Sequence, residues 1–262
     1  MIEQFLAVPT KDGEMKTFIA HPDGNGTYPA VVLFMDIWGV REELCGVARR
    51  IAAEGYYAVL PNFYYRQGDI ANVFWDDDDR MISLHKLDKE RETVVHDQRK
   101  NLSNDMILSD VADLIPFIES QDAAKSGPMG SIGWCMGGWV GFKTAVEFPE
   151  KFQATATLHA TKPLSDQPGS PHLQLDKMRG GIYCGWAEHD HLSPPSMVAE
   201  LEPLLASSPV EYTSSMHMGV EHGYALPDRD IFAEAAAEQD WTNIFYLYQK
   251  HLGNWHGGTL WH

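Results

Sequence analysis

The sequence predicts an α/β protein: a doubly wound, mostly parallel sheet with helices on both faces. Two features carry that expectation. Short, continuous apolar runs such as Ala30–Phe34 (AVVLF) and Tyr57–Leu60 (YAVL) read as strands buried on both faces. Between them Leu44, Val47, Ala48 and Ile51 recur at helical spacing, with Gly55 placed to end the helix. Strand, helix, strand is the repeating unit of a parallel sheet.

The chain opens differently. The segments IEQFLAV and MKTFIAH flank a TKDG turn signal, which suggests an antiparallel hairpin at a sheet edge. After the first strand-helix-strand unit, further strands are expected at Met129–Ile132, Ala154–Leu158, Gly181–Gly185 and Val210–Ser214. Ser103 or Asn104 can cap a helix striped by Ile107, Val111, Leu114 and Ile118, with Pro116 able to bend it. Other helices are expected after Cys135, over PPSMVAELEPLLA, and from near Ile231 toward Leu252. No repeat and no linker composition divides the 262 residues, so 1–262 reads as one domain. Residues 67–100 resist the pattern. They are highly charged, include the run Asp76–Asp79, and follow a strand's carboxyl end, which makes them a possible cap over a site. The run itself reads first as a solvated face and only second as a cation site.

Composition excludes several classes of partner. The net charge of -17 argues against nucleic acid or an anionic membrane surface. No apolar run is long enough to span a bilayer, and the first residues lack the basic and apolar regions of a secretory leader, so a cytoplasmic location is expected. Three widely spaced cysteines are no disulfide framework, which leaves reduced thiols.

One of those thiols stands out. In SIGWCMGGW, Cys135 lies between Gly133 and Gly137, after a strand and before a helix. A nucleophile on such a tight turn needs small neighbours, because side chains there would clash, and the turn lifts the reactive atom above the sheet. The following helix's amino end would favour a thiolate. The competing reading is a small buried residue, the role expected of Cys45 and Cys184. A thiol nucleophile also needs a base and a group to orient it, in the chain order nucleophile, acid, histidine. Asp190 follows the strand GIYCG, and His222 follows the next strand, which completes the order Cys135, Asp190, His222. Twelve histidines also invite a metal hypothesis around His189, His191 and His217. Neither a His-Glu-x-x-His helix nor paired cysteines are present, so no metal and no cofactor is expected.

The run PAVVLFMDIWGVREELCGVARRIAAEGYYAVLPNFYYR, with GWCMGG, HDHLSPP and EHGY, resembles the dienelactone hydrolase family of α/β-hydrolases over Tyr28 to Leu252. The resemblance implies Cys135 as nucleophile, Asp190 as orienting acid, His222 as base, and the backbone amides of Ile37 and Met136 as oxyanion hole. Many members carry glutamate at the position of Asp36, so Asp36 is either a shorter auxiliary to the thiol or an organiser of its loop. Arg66, Arg80 and Arg229 are candidates for substrate binding. The implied activity is cofactor-free hydrolysis of a small ester or lactone; a broader carboxylesterase or thioesterase, and a non-catalytic binding protein on the same scaffold, are the alternatives. The chain does not distinguish a monomer from a homodimer. The histidine- and tryptophan-rich tail, residues 253–262, is expected to serve subunit contact or helix packing.

Overall fold

The structure is a computed structural model describing residues 1–68, 70–71 and 73–253. Eight strands form one sheet in the order β1-β2-β4-β3-β5-β6-β7-β8. Strands β1 (Ile2–Thr10) and β2 (Gly13–His21) make the expected hairpin, and β2 pairs antiparallel with β4 (Tyr57–Pro61). The remaining pairs are parallel: β4 with β3 (Tyr28–Phe34), then β5 (Ala124–Trp134), β6 (Phe152–Leu158), β7 (Gly181–His189) and β8 (Glu211–Glu221). Every residue of β3 and β4 is buried, which requires cover on both faces and explains their unbroken apolar sequence.

Helix α1 (Glu42–Ala53) buries Leu44, Cys45, Val47, Ala48 and Ile51, the stripe its spacing predicts. It meets α6 (Glu234–Leu252), where Arg50 pairs with Glu238 and stacks on Trp241. Ser103 caps α3 (Asn104–Glu119) by accepting from the Met106 amide, and the helix runs on through Pro116. Helix α4 (Met136–Glu147) follows Cys135 directly, and α5 (Pro195–Ala206) begins on a proline, whose missing N–H costs nothing at a first helical position.

Several boundaries differ from expectation: β5 begins at Ala124 and β7 runs on to His189, both longer than their apolar cores. The last helix starts at Glu234 and not near Ile231, because residues 228–233 are occupied by a tight loop. Strand β8 continues to Glu221, seven residues beyond the apolar signal; as the edge strand it is largely exposed and needs no apolar run. Within 67–100 the chain forms α2 (Lys89–Lys100), polar all round with only Val95 and Gln98 buried, so it carries no amphipathic signal. Asp88 caps it. The run Asp76–Asp79 is an exposed turn in which Asp76 accepts from the amides of Asp78 and Arg80. The tail lies, from residue 254 on, outside the described residues. No helix among the described residues is long and apolar enough to cross a membrane.

Candidate active site

Asp36, Cys135, Asp190 and His222 lie just past the ends of β3, β5, β7 and β8, the edge of a parallel sheet at which α/β proteins bind ligands. The turn from β5 into α4 is as tight as the glycines imply. A Cβ on Gly133 would lie 2.0 Å from the Gly137 carbonyl oxygen, and one on Gly137 would lie 2.0 Å from that of Phe34. Cys135 at the apex has φ 55° and ψ -116°, a sparsely populated conformation that costs on the order of 1–3 kcal/mol and persists only where the surroundings impose it. Here they do. The Cys135 amide donates to Leu158 at 3.1 Å and its carbonyl accepts from Thr161 at 3.0 Å, both on the chain leaving β6.

The Cys135 Sγ lies 3.4 Å from the Thr161 Oγ1. His222, just past β8, contacts Asp190 through Nδ1 at 2.7 Å. Asp190 is itself fixed, its other oxygen accepting from the amides of Leu192 and Ser193 at 2.8 and 3.0 Å. Burial alone pushes the Cys135 thiol up, but the nearby His222 charge and the Thr161 hydroxyl outweigh it and leave the thiol below its ordinary value, while His222 Nε2 is buried with no hydrogen-bond partner among the described residues. Burial likewise pushes His222 down, and the Cys135 thiolate with Asp190 pulls it well above the ordinary imidazole range. Both shifts run in the directions that favour a thiolate beside an imidazolium. The thiolate should therefore persist to lower pH than in a free cysteine. The rate of iodoacetamide modification at Cys135 should be half-maximal below about pH 8.5, and H222N should move that midpoint upward. A wild-type midpoint at or above the free-cysteine value would remove the ion pair from consideration.

The amides of Met136 and Ile37 donate to no protein acceptor among the described residues. Gly137 abuts the Phe34 and Met35 carbonyls, so the loop that carries Ile37 leaves β3 against the elbow. Asp36 is buried and engaged elsewhere: it takes the Arg41 guanidinium on both oxygens, at 2.9 and 3.1 Å, and the Trp38 amide at 3.1 Å. Its negative charge opposes thiolate formation.

The candidate arginines part ways. Arg66 is held by Asp12 and Asp110. Among the described residues the Arg80 side chain reaches only the Arg229 carbonyl, at 3.5 Å. Arg229 is buried over the Trp38 ring, bonds Ser83, and leaves its Nε without a hydrogen-bond partner among the described residues. Sequence reasoning missed Arg99, at the end of α2. Half-buried, among the described residues it donates only to neutral oxygens, the Leu102 carbonyl and Asn104 Oδ1, and it lines a cavity of about 630 Å3 together with Leu108, Met136, Trp139, Thr161 and Lys162. Burial depresses its pKa, and the charges of Tyr64 and Cys135 act in the opposite direction.

Also missed was His159, buried at the end of β6 with its ring edge-to-face on His222 at 4.8 Å. Burial, with His222 and Arg229 nearby, keeps it neutral. Beyond it, Tyr224 donates to Asp240, which also takes hydrogen bonds from Tyr183 and His217, at 2.6 to 2.7 Å each. His217 is thereby committed, and His189 is exposed beside Glu188. No three His, Cys, Asp or Glu side chains among the described residues are grouped to hold a metal ion. Cys45 and Cys184 are buried, their thiols pushed up to about 11 and about 12 chiefly by burial.

Comparison with known proteins agrees with this architecture. A Synechocystis protein described as a "putative carboxymethylenebutenolidase" is 26% identical over 250 residues, covering 94% of this chain and 96% of its own. A Rhodococcus opacus carboxymethylenebutenolidase is 24% identical over 235 residues, covering 87% and 83%. The crystal structure of a Klebsiella pneumoniae protein described as a "putative dienelactone hydrolase" superposes with a TM-score of 0.80 at 18% identity, over 95% of this chain and 99% of that one. The dienelactone hydrolase family model matches residues 15–252, and the chain belongs to that family of α/β-hydrolases, acting as an ester hydrolase on small-molecule substrates.

Proposed function

We propose that the protein hydrolyses small carboxylic esters or lactones through an acyl-enzyme on Cys135. The observation that carries this reading is the strained elbow holding the Cys135 sulfur in electrostatic partnership with an Asp190-anchored His222. The thiolate attacks the carbonyl carbon, and the developing oxyanion is received by the Met136 and Ile37 amides, each such donor contributing on the order of 3 kcal/mol. The alkoxide leaves with the His222 proton. Acylation also removes the thiolate charge that raised His222, so the imidazole falls toward its ordinary range and becomes a competent base for the attacking water. The thiol and the acid are then released. In a lactone, alcohol and acid leave as one molecule. Reduced cysteines suit a cytoplasmic setting.

Stoichiometric alkylation of Cys135 by iodoacetamide should abolish hydrolysis of p-nitrophenyl acetate, and a rapid burst of p-nitrophenol should accompany an acyl adduct on Cys135 in the mass spectrum. Full activity after alkylation would overturn the assignment.

Arg99 supports a substrate that carries its own carboxylate. It is a half-buried cation with only neutral partners, on the wall of a cavity that also reaches Thr161 and Met136. R99L should lower kcat/KM roughly 10- to 100-fold for a p-nitrophenyl ester of a dicarboxylic acid, the worth of one charge-assisted hydrogen bond. The acetate ester should change less than about threefold, and equal losses on both substrates would refute the role. The size of the cavity favours a substrate with more than a bare five-membered ring, which keeps a broader carboxylesterase as the second reading.

A further inference from the structure

Between the loop leaving β3 and the loop that follows His222 lies a buried cation with two anions. Arg41, Asp36 and Asp228 are all almost fully enclosed. The guanidinium uses all five of its N–H groups: two on Asp36, two on Asp228 and one on the Gly39 carbonyl at 3.4 Å. Burying three charges together is expensive and seldom adds net stability, so such a cluster is better explained by what it positions.

Its attachments identify that object. Asp36 accepts from the Trp38 amide, and Tyr64 donates its hydroxyl to the Ile37 carbonyl at 2.9 Å. The peptide joining Ile37 to Trp38 is therefore held at both its C=O and its N–H. The preceding amide, that of Ile37, has no acceptor among the described residues and lies beside an elbow that touches Phe34 and Met35. At the far end, Asp228 is six residues past His222, and its carbonyl accepts from the Met81 amide at 2.7 Å. One cation thus ties the Ile37 loop, the base loop and the 67–100 segment to one another.

We infer that Arg41, clamped between Asp36 and Asp228, is a positioning residue that aims the Ile37 amide at the developing oxyanion and fixes it relative to His222. The inference rests on the acyl-enzyme reading above, and it gives Asp36 a part in the transition state's frame and none in withdrawing the thiol proton. Arginine is required because lysine, a single-point donor, cannot grip two carboxylates in fixed planes.

R41K keeps the charge and loses the fork. Turnover of p-nitrophenyl acetate should fall roughly 10- to 100-fold, as displacement of one oxyanion donor implies. The preference for an oxygen ester over its thiono counterpart, which reports how well a carbonyl oxygen is received, should shrink at least about fivefold on the same grounds. The pH midpoint of Cys135 alkylation, which needs no oxyanion hole, should stay where it is in the wild type. D228N, which weakens the same clamp from its other end, should likewise lower turnover and the oxygen-to-thiono preference while leaving the alkylation midpoint in place, and it carries the test if R41K does not fold. Wild-type turnover in either folded variant, or turnover and alkylation falling together with the oxygen-to-thiono preference intact, would overturn the clamp. Loss of the acyl-enzyme reading would show itself separately, as activity surviving alkylation in the wild type.

Discussion

Replacing Cys135 by alanine should lower kcat for p-nitrophenyl acetate by about 10,000-fold or more while leaving the thermal unfolding midpoint within about 2 °C of the wild type. The size of the effect follows from the role. The nucleophile, the base and the orienting acid act as a unit, so removing the attacking atom forfeits the covalent route and leaves only oxyanion stabilisation and binding. The small stability change follows from the backbone: alanine at φ 55° bears the same strain as cysteine, and the lost Thr161 contact and electrostatic partnership with His222 are offset because a neutral His222 is cheaper to bury. C135S should recover little, because His222 is tuned to pair with a thiolate and a serine hydroxyl stays protonated in that setting. Residual activity above a tenth of wild type in C135A would place the nucleophile elsewhere.

Gly137→Ala should be among the most damaging single-methyl substitutions in the described chain. The added carbon would lie 2.0 Å from the Phe34 carbonyl oxygen and 2.7 Å from that of Met35, backbone atoms at and just past the end of β3. Relief requires α4 to move off β3 by more than an ångström, in a core where such shifts are resisted on every side. A loss of about 4 kcal/mol or more is expected, enough to remove most soluble protein. The control is Gly46 in α1, where an added carbon meets nothing within 4 Å; Gly46→Ala should raise stability by about 0.5–1 kcal/mol through helix propensity alone. Chemical denaturation of the pair measures both, and a G137A protein of wild-type stability would mean that the elbow is looser than its geometry.

The contrast between those two glycines also shows what a sequence discloses. Gly133 and Gly137 announce a turn because local sterics demand them, and the parallel strands announce themselves because burial on both faces leaves only apolar residues. Asp190 and His222 are legible through chain order on a fold already recognised. Arg99 is not: α2 is polar on every side, and its guanidinium matters only because Asn104 and Leu102 turn it toward a cavity walled by residues up to 70 positions away. Nor is the partnership of Arg41 with Asp228, separated by 187 residues and obeying no period. His159 reads as a strand-end residue until the ring of His222 is found against it. Local rules write themselves along the chain; charge pairs and ring stacks across loops do not.

The carboxylate of Asp240 has a bearing on the birth of the molecule. It anchors Tyr224, and through that residue the loop of His222, yet it comes from α6, the last helix to be synthesised. The sulfur and its elbow leave the ribosome a hundred residues sooner. The bond that steadies the loop after His222 therefore cannot form until the chain has been extended past residue 240, so an incomplete chain holds its elbow cysteine before it holds the anchor of that loop.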